Sequence, residues 1–307
     1  MSQLPSSIEI VEVGPRDGLQ DEPVVVSTAD KLAYIAAAAR AGIRRVEVAS
    51  FVNPKRVPQM ADAEAVISGL AELGYDNLRP IGLVLNERGI ERAAAAGIGE
   101  INCVVVVTDT FSQRNQGMTT AQAVAVWAAV SARASAAGIR AGVTLSAAFG
   151  CAYEGRVDPA RVVRLAEEVV AAGAGEVALA DTVGCAVPNQ TEDLVAAVVA
   201  ATGVKVRCHL HNSRNTGLAN AVAAVRGGAT AFDASLGGIG GCPFSPGATG
   251  NVPTEDLAYM FHGMGIDTGL DLALLLEGVK VVERIVGHPV PGMLGKAGLF
   301  PRVTPLA

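Results

Sequence analysis

Two histidines separated by one residue, His209 and His211, stand at the end of a short run, Val204–His211, whose composition is typical of a β-strand. Side chains alternate between the two faces of a strand, so residues i and i+2 project to the same side. Imidazole is a common metal ligand, and two of the chain's four histidines occur here. The pair therefore predicts half of a metal site. Two histidines that line a polar barrel mouth without a metal are the alternative.

The rest of the chain shows which elements position this pair. Short apolar runs rich in Val and Ile alternate with longer Ala-rich helical stretches. We predict strands near Ile8–Val13, Arg45–Ala49, Pro80–Leu85, Glu100–Val107, Ala141–Ala147, Glu176–Ala180, Lys205–His209 and Ala231–Ser235. We predict helices near 28–41, 59–73, 87–96, 119–137, 159–172, 190–201 and 215–227, with two more after the eighth strand.

Eight successive β-then-α units predict an α/β protein with the (β/α)8 TIM-barrel fold. A doubly wound open sheet is the structural rival, and the absence of a GxGxxG motif after the first strand counts against it. We expect one domain over residues 1–307. Its barrel would span about 8–236, and a glycine-rich lid loop and C-terminal helices would occupy about 237–307.

Composition excludes several classes of partner. The 24 basic and 30 acidic side chains give a net charge of −6, so nucleic acid and anionic membranes are not expected as partners. No secretory signal or apolar run of membrane-spanning length is present. The five cysteines lack CxxC spacing, which favours reduced thiols. We therefore expect a cytoplasmic protein that acts on a small molecule.

Polar residues converge on the end of the barrel where active sites lie, the C-terminal ends of the strands. They are Arg16, Asp17 and Gln20 after the first strand, Glu47 and Ser50 on the second, Asp181 and Thr182 on the sixth, and Cys242 and Asn251 after the eighth. Asp17, His209, His211 and Asn251 form a set of two nitrogen and two oxygen ligands. That mixture suits Mg²⁺ or Mn²⁺ better than a closed structural zinc site.

Three of these residues have two interpretations each. Arg16 is either a surface ion-pair partner of Asp17 or a fixed cation for a developing oxyanion. Glu47 either closes a salt bridge inside the barrel mouth or orients Arg16. Cys242 is either an ordinary loop cysteine or a thiol that exchanges a proton near neutral pH, because it lies in a glycine-rich loop near a cation.

At these residues the chain strongly resembles the 3-hydroxy-3-methylglutaryl-CoA lyase family of metal-dependent lyase barrels. The resemblance extends from about residue 8 to about residue 286, and the cysteine loop is its most specific part. The matching stretches are Val11–Glu22, Val46–Val52, Pro58–Met60, Tyr153–Gly155, Ala180–Gly184, His209–His211, Gly240–Phe244, Gly247–Asn251 and Thr254–Leu257.

The resemblance implies a retro-Claisen cleavage of an acyl-CoA to acetyl-CoA and acetoacetate, a step of leucine degradation and ketone-body formation. It implies that Asp17, His209, His211 and Asn251 hold Mg²⁺ or Mn²⁺. Arg16 would polarise the thioester carbonyl, and Cys242 would be the acid/base on the lid. Glu47 and Asp181 would be acidic residues of the site, and either His209 or Asp181 would be the base. Gln20, Ser50 and Thr182 would contact the substrate, and the enzyme would be a homodimer.

Departures from the family pattern leave the substrate open. Asn212 follows His211 where the lyases often have Asp, Phe244 stands where they usually have Tyr, and Arg56 where they often have Trp. A lyase for another 3-hydroxyacyl-CoA such as citramalyl-CoA is the nearest alternative. A condensing synthase of the isopropylmalate or homocitrate type is the next, although Leu19 replaces the Glu that those enzymes carry. A non-catalytic acyl-CoA-binding barrel is the most remote.

Overall fold

Eight parallel strands close into a barrel, each hydrogen-bonded to the next in chain order and β8 to β1. The computed structural model describes residues 4–241 and 250–300. The strands are β1 (Glu9–Glu12), β2 (Arg45–Ser50), β3 (Arg79–Val84), β4 (Glu100–Val106), β5 (Arg140–Ser146), β6 (Glu176–Asp181), β7 (Lys205–Leu210) and β8 (Ala231–Ala234). The predicted α/β barrel and all eight predicted strands are confirmed.

Helices surround the barrel. They are α1 (Thr28–Arg40), α2 (Ala63–Gly69), α3 (Glu87–Ala95), α4 (Asp109–Gln116), α5 (Thr120–Ala136), α6 (Pro159–Ala171), α7 (Pro188–Thr202), α8 (Gly217–Gly227), α9 (Thr254–Gly263), α10 (Leu272–Val286) and α11 (Leu294–Ala297). Among the described residues none of these helices has both the length and the apolar character needed to cross a membrane.

Three helical regions differ from the sequence prediction. The single helix expected over 59–73 is the shorter α2, flanked by 3-10 turns at Pro58–Met60 and Leu70–Leu73. Helix α4 was not predicted, because it is short and polar and its residues follow β4 without an apolar period. Three helices follow β8 within the described residues where two were expected, and the extra one, α11, is a single turn.

The apolar core lies between the strands and the helices, and the barrel interior is largely polar. Strand β2 shows the division, since all six of its residues are buried. Val46 and Val48 belong to the main apolar core, whereas the alternate residues Arg45 and Glu47 form ion pairs inside the barrel. The apolar residues that cluster inside the barrel are Val11, Val13 and Ile81.

The N-terminal end of the barrel is closed by an ion-pair network that we call the floor: Glu9, Arg45, Glu100 and Glu176. Arg45 lies at its centre, 2.9 Å from a carboxylate oxygen of Glu9 and 2.8 Å from one of Glu176, and also pairs with Glu100. Only 6% of Arg45 is exposed. Four strands therefore contribute to one cluster, whose carboxylates also pair with Arg79, Arg140 and Arg207.

Candidate active site and metal centre

Strand β1 ends in a single π-helical turn, Gly14–Gly18, that carries Arg16 and Asp17. The backbone N–H groups of both residues donate to the carbonyl of Val13, at 3.1 and 2.7 Å. Gly14 is required because a Cβ there would lie 1.8 Å from the hydroxyl oxygen of Tyr34. Isolated π-helical turns occur frequently at functional sites. This turn presents a cation and a carboxylate side by side at the barrel mouth.

Glu12 ties this turn to both ends of the glycine-rich segment after β8. Its carboxylate accepts the N–H of Gly14 at 2.9 Å and the N–H of Leu236 at 3.1 Å. It also accepts the hydroxyls of Thr254 at 2.7 Å and Tyr34 at 3.0 Å. The turn and the two stems of the segment therefore share one fully buried anchor.

The two histidines meet Asp17 at the mouth. The Nε2 atoms of His209 and His211 lie 3.1 Å apart, and ligand atoms from both rings and from Asp17 all lie within 4.8 Å of one another. Asn251 donates from Nδ2 to the Oδ2 atom of Asp17 at 2.9 Å. Its buried Oδ1 atom has no hydrogen-bond partner among the described residues. The structure thus brings the four predicted metal ligands together, and their oxygen and nitrogen donors fit a divalent cation.

Electrostatics keeps Asp17 and His211 in the form that binds metal, whereas Asp233 and Asp17 outweigh burial and raise the pKa of His209. Burial raises the pKa of the Asp17 carboxyl, but Arg16 and the two histidines outweigh this effect, so its pKa falls to about 2. Burial and the neighbouring His209 lower the pKa of His211 to about 4. Metal ligands must be deprotonated, and at neutral pH both groups are.

The guanidinium of Arg16 is held on two sides, and only 8% of Arg16 is exposed. Its Nη1 atom donates to Asp17 Oδ1 at 2.7 Å, and its Nε and Nη2 atoms contact Glu47 Oε1. The other oxygen of Glu47 accepts the amide of Asn102 at 3.2 Å. Arg16 and Asp17 therefore form an ion pair that lies inside the barrel mouth and not at the surface. Glu47 orients Arg16.

A cavity of about 160 Å³ opens at this mouth. Its lining includes the predicted residues Arg16, Asp17, Gln20, Thr182, His209 and His211. Opposite the histidines, the Thr182 hydroxyl lies 2.9 Å from that of Ser146 and accepts the N–H of Ala147 at 2.8 Å. Ala147 adopts a left-handed backbone conformation, with φ of 59°. A strained conformation at such a place is typical of functional sites.

Some predicted site residues lie elsewhere. Asp181 and Ser50 do not line the cavity. Both Asp181 oxygens accept backbone N–H groups, from Cys185 at 2.9 Å and from Ala186 at 3.0 Å, so this carboxylate holds the loop after β6. Burial raises its pKa. Ser50 is buried at the end of β2. Cys242 lies outside the described residues.

Sequence reasoning missed several lining residues. Asp233 contacts His209 from β8, and Asn102 holds Glu47 from β4. Phe111 and Asn115 come from the unpredicted α4. Asp233 could have been found, since strand alternation places it inside the barrel while Phe232 faces outward. Asp233 precedes the end of β8, whereas active-site residues of such barrels are expected at the strand ends.

Comparison with known proteins finds similarity over almost the whole chain. The sequence model of the HMGL-like family matches residues 7–282. An (R)-citramalyl-CoA lyase of Chloroflexus aurantiacus is 43% identical over 98% of this chain and 98% of that protein. A hydroxymethylglutaryl-CoA lyase of Bacillus subtilis is 39% identical over 94% of this chain and 96% of that enzyme. A solved HMG-CoA lyase of Acinetobacter baumannii, in complex with coenzyme A and 3-methylmalate, superposes with a TM-score of 0.93 at 36% identity over 100% of both chains.

Proposed function

The chain belongs to the HMGL-like family, and on that premise we propose that it is a divalent-metal-dependent carbon–carbon lyase. Its proposed substrate is 3-hydroxy-3-methylglutaryl-CoA, and its products are acetyl-CoA and acetoacetate. The observation that carries the proposal is the convergence of Arg16, Asp17, His209 and His211 on one cavity at the barrel mouth, where Asn251 is hydrogen-bonded to Asp17. A retro-Claisen cleavage needs both a site for the hydroxyl and a cation for the enolate, and these residues supply both.

Asp17, His209, His211 and Asn251 are the residues that would hold the metal, which we propose to be Mg²⁺ or Mn²⁺. When bound, a divalent ion would act as a Lewis acid that lowers the pKa of the substrate's C3 hydroxyl. The unpartnered Oδ1 atom of Asn251 supports this set, because a buried polar atom without a partner is costly. A ligand role for His209 Nε2 excludes a simultaneous role as the base.

Arg16 is proposed to stabilise the enolate oxygen of the departing acetyl-CoA. A guanidinium has five N–H donors, and Asp17 and Glu47 engage three of them here, at Nη1, Nε and Nη2. Two donors are left for substrate. A charge-assisted hydrogen bond from a prearranged cation is among the stronger means of stabilising such a charge.

The remaining roles follow from position. Gly241, the residue before Cys242, lines the cavity, which supports Cys242 as the acid that protonates the enolate carbon. Gln20 and Thr182 line it too and are proposed to contact the substrate. Because a ligand role excludes His209, we propose that Asp181 accepts the proton of the C3 hydroxyl, and it also positions the loop after β6. Ser50, a homodimer and a cytoplasmic location stay predictions from the family resemblance.

Cleavage of (R)-citramalyl-CoA is the second candidate function, favoured by the 43% identity to the Chloroflexus enzyme. The two substrates share the 3-hydroxy-3-methyl acyl thioester and differ by one methylene in the carboxylate arm. Discrimination of one methylene amounts to about 10–200-fold in kcat/KM. Family membership is therefore compatible with a preference for either of the two thioesters.

A panel of thioesters tests the proposal. The purified protein would be assayed with Mn²⁺ and a thiol reductant on 3-hydroxy-3-methylglutaryl-CoA and on both enantiomers of citramalyl-CoA. We expect acetyl-CoA and acetoacetate from the first, with the highest kcat/KM of the panel. A higher kcat/KM on (R)-citramalyl-CoA would replace the proposed substrate. Equal activity after EDTA treatment would contradict the metal requirement, and tight binding without any product would contradict the lyase.

The proposed thiol acid is tested by a pair of cysteine variants. Cys242→Ala should lower kcat by about 10²–10⁴ and leave the metal content unchanged. Cys103→Ala is the matched control, because Cys103 is a free thiol buried on β4 and away from the cavity lining. Near-normal turnover in Cys242→Ala would remove the thiol from the mechanism.

A further inference from the structure

Asp233 lies inside the barrel on β8, directly beside His209 in the register with β7. Its Oδ2 atom is 3.2 Å from the Nδ1 atom of His209, and its Oδ1 atom accepts Nη1 of Arg207 at 3.0 Å. Only 4% of Asp233 and 1% of Arg207 are exposed. Each oxygen of this carboxylate therefore has one fixed partner.

The two contacts determine which nitrogen of His209 carries the proton. A carboxylate only accepts hydrogen bonds, so the ring must donate from Nδ1. In the neutral ring, Nε2 then presents a lone pair toward Nε2 of His211, 3.1 Å away. We propose that Asp233 is a positioning residue that fixes the tautomer and the orientation of His209, so that Nε2 faces the metal. This inference rests on the metal site proposed above.

Arg207 keeps the Asp233 carboxylate ionised and holds it in position through a hydrogen bond. It enters the barrel from β7 two residues before His209, so both side chains point inward. Its Nε atom is 3.2 Å from Glu176 Oε2, and Glu176 in turn pairs with Arg45. A chain of alternating charges thus runs from the floor to the proposed metal ligand. Carboxylate partners of metal-bound histidines raise ligand basicity, and their loss costs about 10–100-fold in metal affinity.

The decisive variant is Asp233→Asn, which keeps the shape and replaces one acceptor by a donor. Arg207 only donates, so the amide oxygen will face it, and the amide NH₂ will face His209 Nδ1. That nitrogen must then accept, and the ring proton moves to Nε2, where it blocks metal binding. We expect the Kd for Mn²⁺, measured by calorimetry on metal-free protein, to rise about 10–100-fold.

Glu9→Gln is the matched control. It makes the same change from acid to amide, on the floor, at a carboxylate that pairs with Arg45 and Arg79. We expect its Mn²⁺ affinity to stay within about twofold of the wild type. An equal loss of affinity in both variants would mean that any disturbance of the charged interior has this effect, and it would overturn the inference.

A second measurement does not depend on the variant folding. Nitrogen-15 NMR of labelled histidines in the metal-free wild type at alkaline pH should show His209 protonated at Nδ1. Protonation at Nε2 would overturn the inference, as would unchanged Mn²⁺ affinity in a folded Asp233→Asn protein. A wild-type protein that binds no Mn²⁺ at all would instead contradict the proposed metal site.

Discussion

The two ends of the barrel use the same residue types with opposite degrees of pairing. On the floor, Arg45 meets three carboxylates, from Glu9, Glu100 and Glu176. At the mouth, Arg16 keeps free N–H donors, and Asn251 keeps a buried oxygen without a partner among the described residues. On the floor every carboxylate meets a cation, although the Nε atom of Arg45 has no hydrogen-bond partner in the part of the chain that the structure describes, and this pairing satisfies the protein itself. Incomplete pairing at the mouth leaves capacity for a ligand. The degree of pairing, more than the presence of charge, therefore distinguishes a structural cluster from a binding site.

The largest effect is expected on the floor, for Arg45→Gln. This variant leaves three carboxylates close together, with only Arg79, Arg140 and Arg207 among the described residues to offset their charge. Removal of one partner from a buried ion pair costs about 3–5 kcal/mol. We expect a loss of that size in the free energy of unfolding, measured with urea, and unchanged Mn²⁺ affinity in the folded fraction. A variant as stable as the wild type would mean that the floor is not a structural cluster.

The same substitution at the mouth, Arg16→Gln, should act mainly on the reaction. Removal of one oxyanion donor costs about 10²–10³ in kcat, and we expect a fall of at least this size in lyase assays. The free energy of unfolding should fall less than in Arg45→Gln, because Glu47 still accepts a hydrogen bond from the side-chain amide of Asn102. Activity within tenfold of the wild type would end the proposed role of this cation.

Two buried carboxyls extend the comparison to pH, because their pKa values move in opposite directions. Burial raises the pKa of Glu12, near the mouth, from 4.5 to about 7. Burial also acts on Glu176 on the floor, but Arg207 and Arg45 outweigh it and lower its pKa. Glu12 therefore stabilises the fold while it is protonated, and this contribution is lost as the pH rises through about 7. Glu176 contributes above its unfolded pKa and loses that contribution as the pH falls.

Urea unfolding between pH 3 and pH 9 checks these signs. Glu12→Gln should flatten the decline in the free energy of unfolding between about pH 4.5 and pH 7, since each pKa unit corresponds to about 1.4 kcal/mol. Glu176→Gln should flatten the decline on the acid side. Parallel pH profiles for the two variants would contradict the opposite pKa shifts.

The smallest effect is expected for an ion pair outside the barrel. Arg133 on α5 pairs with Glu87 and Glu91 on α3, and all three side chains are about half exposed. Exposed pairs contribute about 0.2–1 kcal/mol, so Arg133→Ala should lower the free energy of unfolding by no more than that, and less in high salt. A loss as large as that of Arg45→Gln would mean that burial does not set the strength of pairing in this protein.

Residues with a strong local pattern were predictable from the sequence. The eight strands follow from Val-rich and Ile-rich runs, and strand alternation brought His209 and His211 to one face. The position of Asp17 after β1 was enough to place it near them, because the C-terminal ends of barrel strands share one rim. These inferences need only the two-residue alternation of side chains along a strand and the topology of the barrel.

Contacts that depend on packing across the barrel were not predictable. Strand alternation places Arg45 on the face of Glu47 and Arg207 on the face of His209. The carboxylates that these arginines meet lie on other strands, so the pairing itself could not be predicted. Helix α4 lacks an apolar period, so neither the helix nor its contribution to the cavity lining could be predicted from the sequence. Asp181 ends β6 like a site residue, but its orientation depends on the N–H groups of Cys185 and Ala186 in the following loop.

The floor also has a consequence for how the chain folds. Arg45 and Glu176 are 131 residues apart in the sequence, so a nascent chain that ends before β6 carries Arg45 without one of its three partners. An isolated first half of the barrel would also leave the outer edges of β1 and β4 without their partner strands β8 and β5, and unpaired strand edges are unfavourable. We therefore expect the first four β/α units to remain unfolded on their own and the barrel to close in one cooperative step.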